Sequence, residues 1–289
     1  MNTKVTLPTI NIISPSITIS RETQRRLVSD IKDLIITPLV NDGIYYVHDE
    51  DDMLKGYALI IGPEDTIYED GFYLFKFDIP YNYPFAPPKV TFCTQGDNVR
   101  FNPNLYRNGK VCISILNTWK GEQWTSCQTL RSILLMLVTL LHNKPLLNEP
   151  GLTETYKDYK SYNQIIEFKN YDVALLKMLL QQNFPPIFTP FCIFMKKNFL
   201  TKYENIIKRL NKKIEEFPEV FFATANIYNM RKVVIDYKKI KKEIENLHSQ
   251  LGGRSPPNPF RGLCPPNPPQ EASAPNPSQE ASAPDSLLV

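Results

Sequence analysis

The chain has 289 residues, 42% hydrophobic and 11% aromatic, with a formal net charge of +3. That is enough apolar content for a packed core, and too little charge to demand nucleic acid or an acidic membrane as a partner. The five cysteines, at 93, 112, 127, 192 and 264, are odd in number and form no CxxC pair, which argues against a disulfide framework or a zinc site and for free thiols in a reducing compartment. Residues 1–19 are rich in Thr, Ser, Ile and Pro and are expected to be irregular. They lack the basic-then-apolar pattern of a secretory leader, and no apolar run reaches the roughly 18 residues of a membrane span, so the expected location is intracellular, cytoplasmic or nuclear. Ser20 is placed to cap a helix from Arg21, with Leu27, Ile31, Leu34 and Ile35 at helical spacing and Pro38 as its stop. Four strand-like runs follow: 43–48, 56–61, 72–79 and 89–92. Their short links predict an antiparallel meander, because parallel neighbours need crossovers.

The segment Tyr81-Asn-Tyr-Pro-Phe-Ala-Pro-Pro88 is too proline-rich for regular structure. Cys112 and a loop holding Trp119 and Trp124 come next, then an apolar helix through Leu130, Ile133, Leu134, Leu137, Leu140 and Leu141 that ends before Pro145. Residues 152–182 read as further helix, interrupted by Pro185, Pro186 and Pro190. From there to about 251 the chain reads as helical and basic, with 13 Lys and Arg against 7 Asp and Glu in residues 196–245. Met230, Val233, Tyr237, Ile240, Ile244, Leu247 and Leu251 follow a 3-4 spacing that predicts the seam of an amphipathic or coiled helix. Residues 252–289 contain the repeat PNPPQEASAP and PNPSQEASAP, a composition that predicts a disordered tail with polyproline II character.

The stretch Arg100-Phe-Asn-Pro-Asn-Leu-Tyr-Arg-Asn-Gly-Lys-Val-Cys112 sets one thiol a short loop away from a cluster of amides. A thiol can carry an acyl group, and a neutral amide can donate to an oxyanion or brace a loop without titrating. YNYPFAPPKVTF, NPN-x7-C, the downstream Trp and the helix after it resemble the ubiquitin-conjugating enzyme family over about residues 20–165. RFNPNLYRNGKVC, the enlarged loop NTWKGEQW and the later NEPG are similar to the larger members with C-terminal extensions. The resemblance implies an α+β fold: an N-terminal helix, a four-stranded antiparallel meander and C-terminal helices, here with a basic helical extension over 166–251. It also implies transfer of ubiquitin or a ubiquitin-like protein. The modifier arrives from an activating enzyme, is held as a thioester, and passes to a lysine of a protein substrate.

On that resemblance Cys112 is the acyl acceptor and Asn104 its helper, either as oxyanion donor or as loop brace. No bound cofactor or metal is expected. ATP belongs to the activating enzyme upstream, and no GxxxxGK[ST] phosphate loop is present. Cys93 and Cys127 are expected to be structural. Asn102 stands where most members have His, and Ser114 where Asp is common. Glu149, with Asn148, lies where members often carry acids beside the incoming lysine. The expected partner surface includes Phe85 for a ligase, Arg25 and Arg26 for the activating enzyme, and the Trp124–Cys127 loop, where Thr125-Ser126-Cys127 replaces the common Ser-Pro-Ala. Two alternatives remain at this stage: a catalytically inactive adaptor of the same fold, and an enzyme for a ubiquitin-like modifier. A cysteine hydrolase would need an oriented His near Cys112, for which His142 is the only candidate.

Overall fold

The computed structural model describes residues 19–182 and 184–252. The Pro-rich repeat, Cys264 and nearly all of the N-terminal stretch lie outside the described residues. Helix α1 spans Arg21–Ile36, and the Ser20 hydroxyl accepts the Thr23 amide at 3.0 Å to close its first turn. Strands β1 (Ile44–His48), β2 (Lys55–Ile61), β3 (Phe72–Asp78) and β4 (Lys89–Phe92) form one antiparallel sheet in sequential order, the expected meander. Helix α2 covers Leu130–Thr139, capped by a reciprocal pair of bonds between Thr129 and Ser132.

Both faces of the sheet are covered, which is unusual for a meander. On one face Tyr73, Phe75 and Phe92 pack with Phe101, with ring centroids 5.4–6.4 Å apart. The other face carries Tyr45 and Tyr57. They meet Phe194 at 4.7 Å and Phe188 at 5.8 Å, both from the C-terminal part of the chain. This double burial explains why β2 reads as a nearly unbroken apolar run rather than an alternation.

After α2, helix α3 (Tyr159–Lys169) widens into a π-helical stretch, Asn170–Lys177. Asn170 is buried there. Its amide donates to the Glu69 carbonyl at 2.8 Å and its side-chain oxygen accepts the Tyr73 hydroxyl at 2.6 Å. A Cβ at residue 71 would lie 1.9 Å from that oxygen, so only Gly71 fits. Helix α4 (Cys192–Glu216) follows a proline-rich 3-10 turn and fastens to the sheet domain by ion pairs. Arg209 bridges Glu69 and Asp70 at 2.5 Å each, and Lys213 reaches Glu167 at 2.9 Å.

The expectation that the chain is helical from the proline cluster to about residue 251 is corrected here. Strands β5 (Phe221–Ala225) and β6 (Met230–Ile235) form a hairpin, and the last helix, α5, begins only at Tyr237 and runs to Gly252. Pro218 cannot continue α4, Asn229 turns the chain at φ 58°, and Val233-Val234-Ile235 are β-branched residues suited to a strand. Met230 and Val233 therefore belong to β6, while Tyr237, Ile240, Ile244 and Leu247 keep the expected buried helical seam. No helix among the described residues is long and apolar enough to cross a membrane.

Candidate active site

The loop from Arg100 to Cys112 is built from its backbone outward. Two buried tyrosines hold its entry: the Tyr162 hydroxyl donates to the Arg100 carbonyl at 2.9 Å, and the Tyr68 hydroxyl to the Phe101 carbonyl at 2.6 Å. The loop reverses at Asn108-Gly109, where φ of +85° favours glycine. It returns so that Cys112 lies beside Asn104. The Asn104 carbonyl accepts the Cys112 N–H at 2.9 Å, and the Asn104 Nδ2 donates to the Cys112 carbonyl at 2.6 Å. Asn104 thus grips the cysteine's own peptide groups from both sides.

Asn102 is fully buried and supports Asn104 in turn. Its Oδ1 accepts the Asn104 N–H at 2.9 Å and the Asn148 Nδ2 at 3.3 Å, and its Nδ2 donates to the Leu140 carbonyl at 2.8 Å. The residue that departs from the family pattern is therefore a satisfied hub joining the cysteine loop, the end of α2 and the loop of Glu149.

Thr118, which sequence reasoning passed over, closes the other side. Its hydroxyl accepts the Ile113 N–H at 3.0 Å and donates to the Val111 carbonyl at 2.9 Å, the residues flanking Cys112. Nothing in the sequence marks it beyond a short polar side chain six positions after the cysteine. Cys112 itself is 2% exposed.

His142 is not a partner of the thiol. Its Nδ1 accepts the Lys144 N–H at 3.1 Å, leaving Nε2 to donate to Asn148 Oδ1 at 3.0 Å. Both ring nitrogens are occupied, so the hydrolase arrangement is not present. Cys93 sits half-buried after β4, and burial pushes its thiol up to about 11, as befits an inert structural cysteine. Cys127, expected to be structural as well, is exposed. It lies in a turn after Trp124, with no packing role to bury it.

Trp124 is anchored by its indole N–H to the Pro84 carbonyl at 2.6 Å, which ties its loop to the Tyr-Pro-Phe block. Phe85 of that block is 64% exposed. Arg25 is exposed, but Arg26 is not free on the helix face as expected. Its guanidinium donates to the Ser126 carbonyl at 2.5 Å and to the Gln128 carbonyl, holding the loop that follows Trp124 against α1. The β5–β6 hairpin also reaches the site. The Tyr228 hydroxyl donates to Glu149 Oε2 at 2.5 Å, and burial together with that carboxylate pushes the phenol well above its usual range. The Arg100 guanidinium lies between the rings of Tyr106, 3.8 Å away, and Tyr228, 4.2 Å away.

The family model for ubiquitin-conjugating enzymes matches residues 26–171, about half the chain, which takes in the cysteine loop and Glu149 but not the hairpin that carries Tyr228. The chain belongs to the ubiquitin-conjugating enzyme family. It is 49% identical over 140 residues to ubiquitin-conjugating enzyme E2 Z of Xenopus tropicalis, covering 47% of this chain and 45% of that protein. To the Homo sapiens protein of the same name it is 44% identical over 165 residues, covering 56% and 46%. To a ubiquitin-conjugating enzyme E2 of African swine fever virus it is 32% identical over 157 residues, covering 53% and 70%. The chain spans about half the length of the E2 Z relatives it matches. Within the ubiquitin-conjugating fold, the sheet, α1, α2 and the cysteine loop take the expected order, and the hairpin and α5 are added behind them.

Proposed function

We propose that this protein accepts ubiquitin, or a ubiquitin-like modifier, as a thioester on Cys112 and transfers it to a lysine of a protein substrate. The observation that carries the reading is the two-sided hold on Cys112: Asn104 grips its N–H and carbonyl, and Thr118 grips its neighbours. Such a hold fixes the thiol's position through two transfers without consuming any titrating group. Thioester exchange suits it, since the acyl group moves between sulfurs at little net cost. An activating enzyme supplies the charged modifier and uses the ATP, and Cys112 needs no bound cofactor. Ligase contact is assigned to the exposed Phe85 and the Trp124–Cys127 loop. A cysteine held this way argues against the inactive adaptor.

In this state one Asn104 amide hydrogen braces the Cys112 carbonyl, and the second N–H of the same nitrogen is left for an oxyanion, so the bond supports the brace without removing the donor role. The full chain is tested by charging with a panel of activating enzymes and modifiers, followed by discharge to free lysine. A thiol-labile adduct with one of them supports the reading, and none with any of them overturns it. Asn104→Ala is expected to slow discharge more than loading. Equal slowing of both would reduce Asn104 to a folding residue.

A further inference from the structure

The C-terminal hairpin is not merely packed behind the catalytic domain. Its tip, Asn226–Asn229, is fastened to three separate parts of it. The Ile227 N–H donates to Asp158 Oδ2 at 2.9 Å, at the start of α3. The Tyr228 carbonyl accepts from the Arg107 guanidinium, in the loop that leads to Cys112. The Tyr228 ring lies on Arg100 and 5.6 Å from Tyr162, and its hydroxyl ends on Glu149. Tyr228 is nearly buried, at 8% exposure, so this hydroxyl–carboxylate bond is largely shielded from water.

Glu149 is placed where a carboxylate matters. It follows Asn148, which donates to Asn102, which in turn holds Asn104 against Cys112. One Glu149 oxygen is tied to Tyr228, and the other makes no hydrogen bond or ion pair among the described residues. A carboxylate fixed in this way presents a single acceptor in one direction, whereas an unrestrained glutamate would sample several rotamers.

We propose that Tyr228, contributed by the C-terminal extension, is a positioning residue for lysine transfer: its hydroxyl aims Glu149 at the incoming lysine ammonium. The inference rests on the conjugating activity proposed above. In the step concerned, the ammonium gives one proton to the Glu149 carboxylate, and the neutral amine attacks the thioester carbon. The C–N bond forms as the C–S bond breaks, and the second amine proton leaves with the Cys112 sulfur as thiol. Tyr228 touches neither reacting atom. It acts through Glu149 alone, and so belongs to discharge rather than to loading, where no amine takes part.

The test uses the full chain and three variants: Tyr228→Phe, Glu149→Gln and the double variant. Tyr228→Phe retains the ring on Arg100 and Tyr162, and its thermal midpoint is read beside the kinetics. The expected result is loading at the wild-type rate and discharge to free lysine slowed about tenfold, the scale of one lost hydrogen bond to a charged group. The loss should appear mainly in the lysine KM. The double variant should be no slower than Glu149→Gln, because Tyr228 has no other route to the reaction. Wild-type discharge by Tyr228→Phe, multiplied losses in the double variant, or loading and discharge falling in parallel would each overturn the proposal. Absence of a thioester on the wild-type chain would instead overturn the conjugating activity itself, and is read in the same loading step.

Discussion

Replacing Asn102 with alanine is the sharpest perturbation of the network beneath Cys112. The side chain is fully buried and bonds to the Leu140 carbonyl, the Asn104 N–H, the Asn148 amide and, at 3.5 Å, the Tyr68 hydroxyl. Alanine leaves the first two, both backbone groups, without those partners, and each orphaned buried group costs about 1–3 kcal/mol. The sum is about 2–6 kcal/mol, set against a total stability of about 5–15 kcal/mol. At about 2–4 °C per kcal/mol for a fold of this size, the thermal midpoint should fall by about 4–24 °C. Asn102→His should lose less, because one ring nitrogen can donate to Leu140 while the other accepts from Asn104. Urea melts of the three proteins give the free energies directly. A loss below about 1 kcal/mol for Asn102→Ala would refute the reasoning, since it would mean that both backbone groups find other partners.

Two further outcomes follow from charge and burial. Burial pushes the Asp97 carboxyl up, but the ammonium groups of Lys169 and Lys177, 2.7 and 2.6 Å away, outweigh it and hold the group well below the usual carboxylate range. A depressed acid contributes stability above its unfolded pKa of about 3.9, and that contribution is lost as pH falls through the folded value. Asp97→Asn should therefore lower the midpoint at pH 7 and flatten the decline below about pH 4, and unchanged slopes there would contradict the assignment. Alkylation followed by peptide mass spectrometry should label exposed Cys127 before buried Cys112, and the reverse order would show that the cysteine loop opens readily in solution.

The parts of the fold that were legible in the sequence carry their own punctuation. Ser20 and Pro38 bound α1, the turn formers between 62 and 71 separate two strands, and three prolines mark the Tyr-Pro-Phe connector. The cysteine motif was legible because its residues are close in sequence: Asn104 and Cys112 are eight positions apart and meet across one hairpin turn. Tyr228 was illegible for the opposite reason. It lies 79 positions from Glu149, inside a segment whose 3-4 spacing of Met230, Val233 and Tyr237 mimics a helical seam across a strand and a helix start. The cue that was available was local: Phe221-Phe222 and Val233-Val234-Ile235 flank an asparagine-rich turn, which is a hairpin pattern. Arg26 was expected on the activating-enzyme surface and Arg209 fell in the basic helical stretch, because sequence shows a charge but not its partner. The structure spends both on fastening one element to another.

The central claim is that the acyl group sits on the Cys112 sulfur, and exchanging that sulfur for oxygen tests it most directly. Charged with the modifier that the wild-type chain accepts, Cys112→Ser should form an adduct that survives thiol reductant and is cleaved by hydroxide. The wild-type adduct should be released by reductant. A Cys112→Ser adduct that reductant still releases would place the thioester on another cysteine and contradict the account.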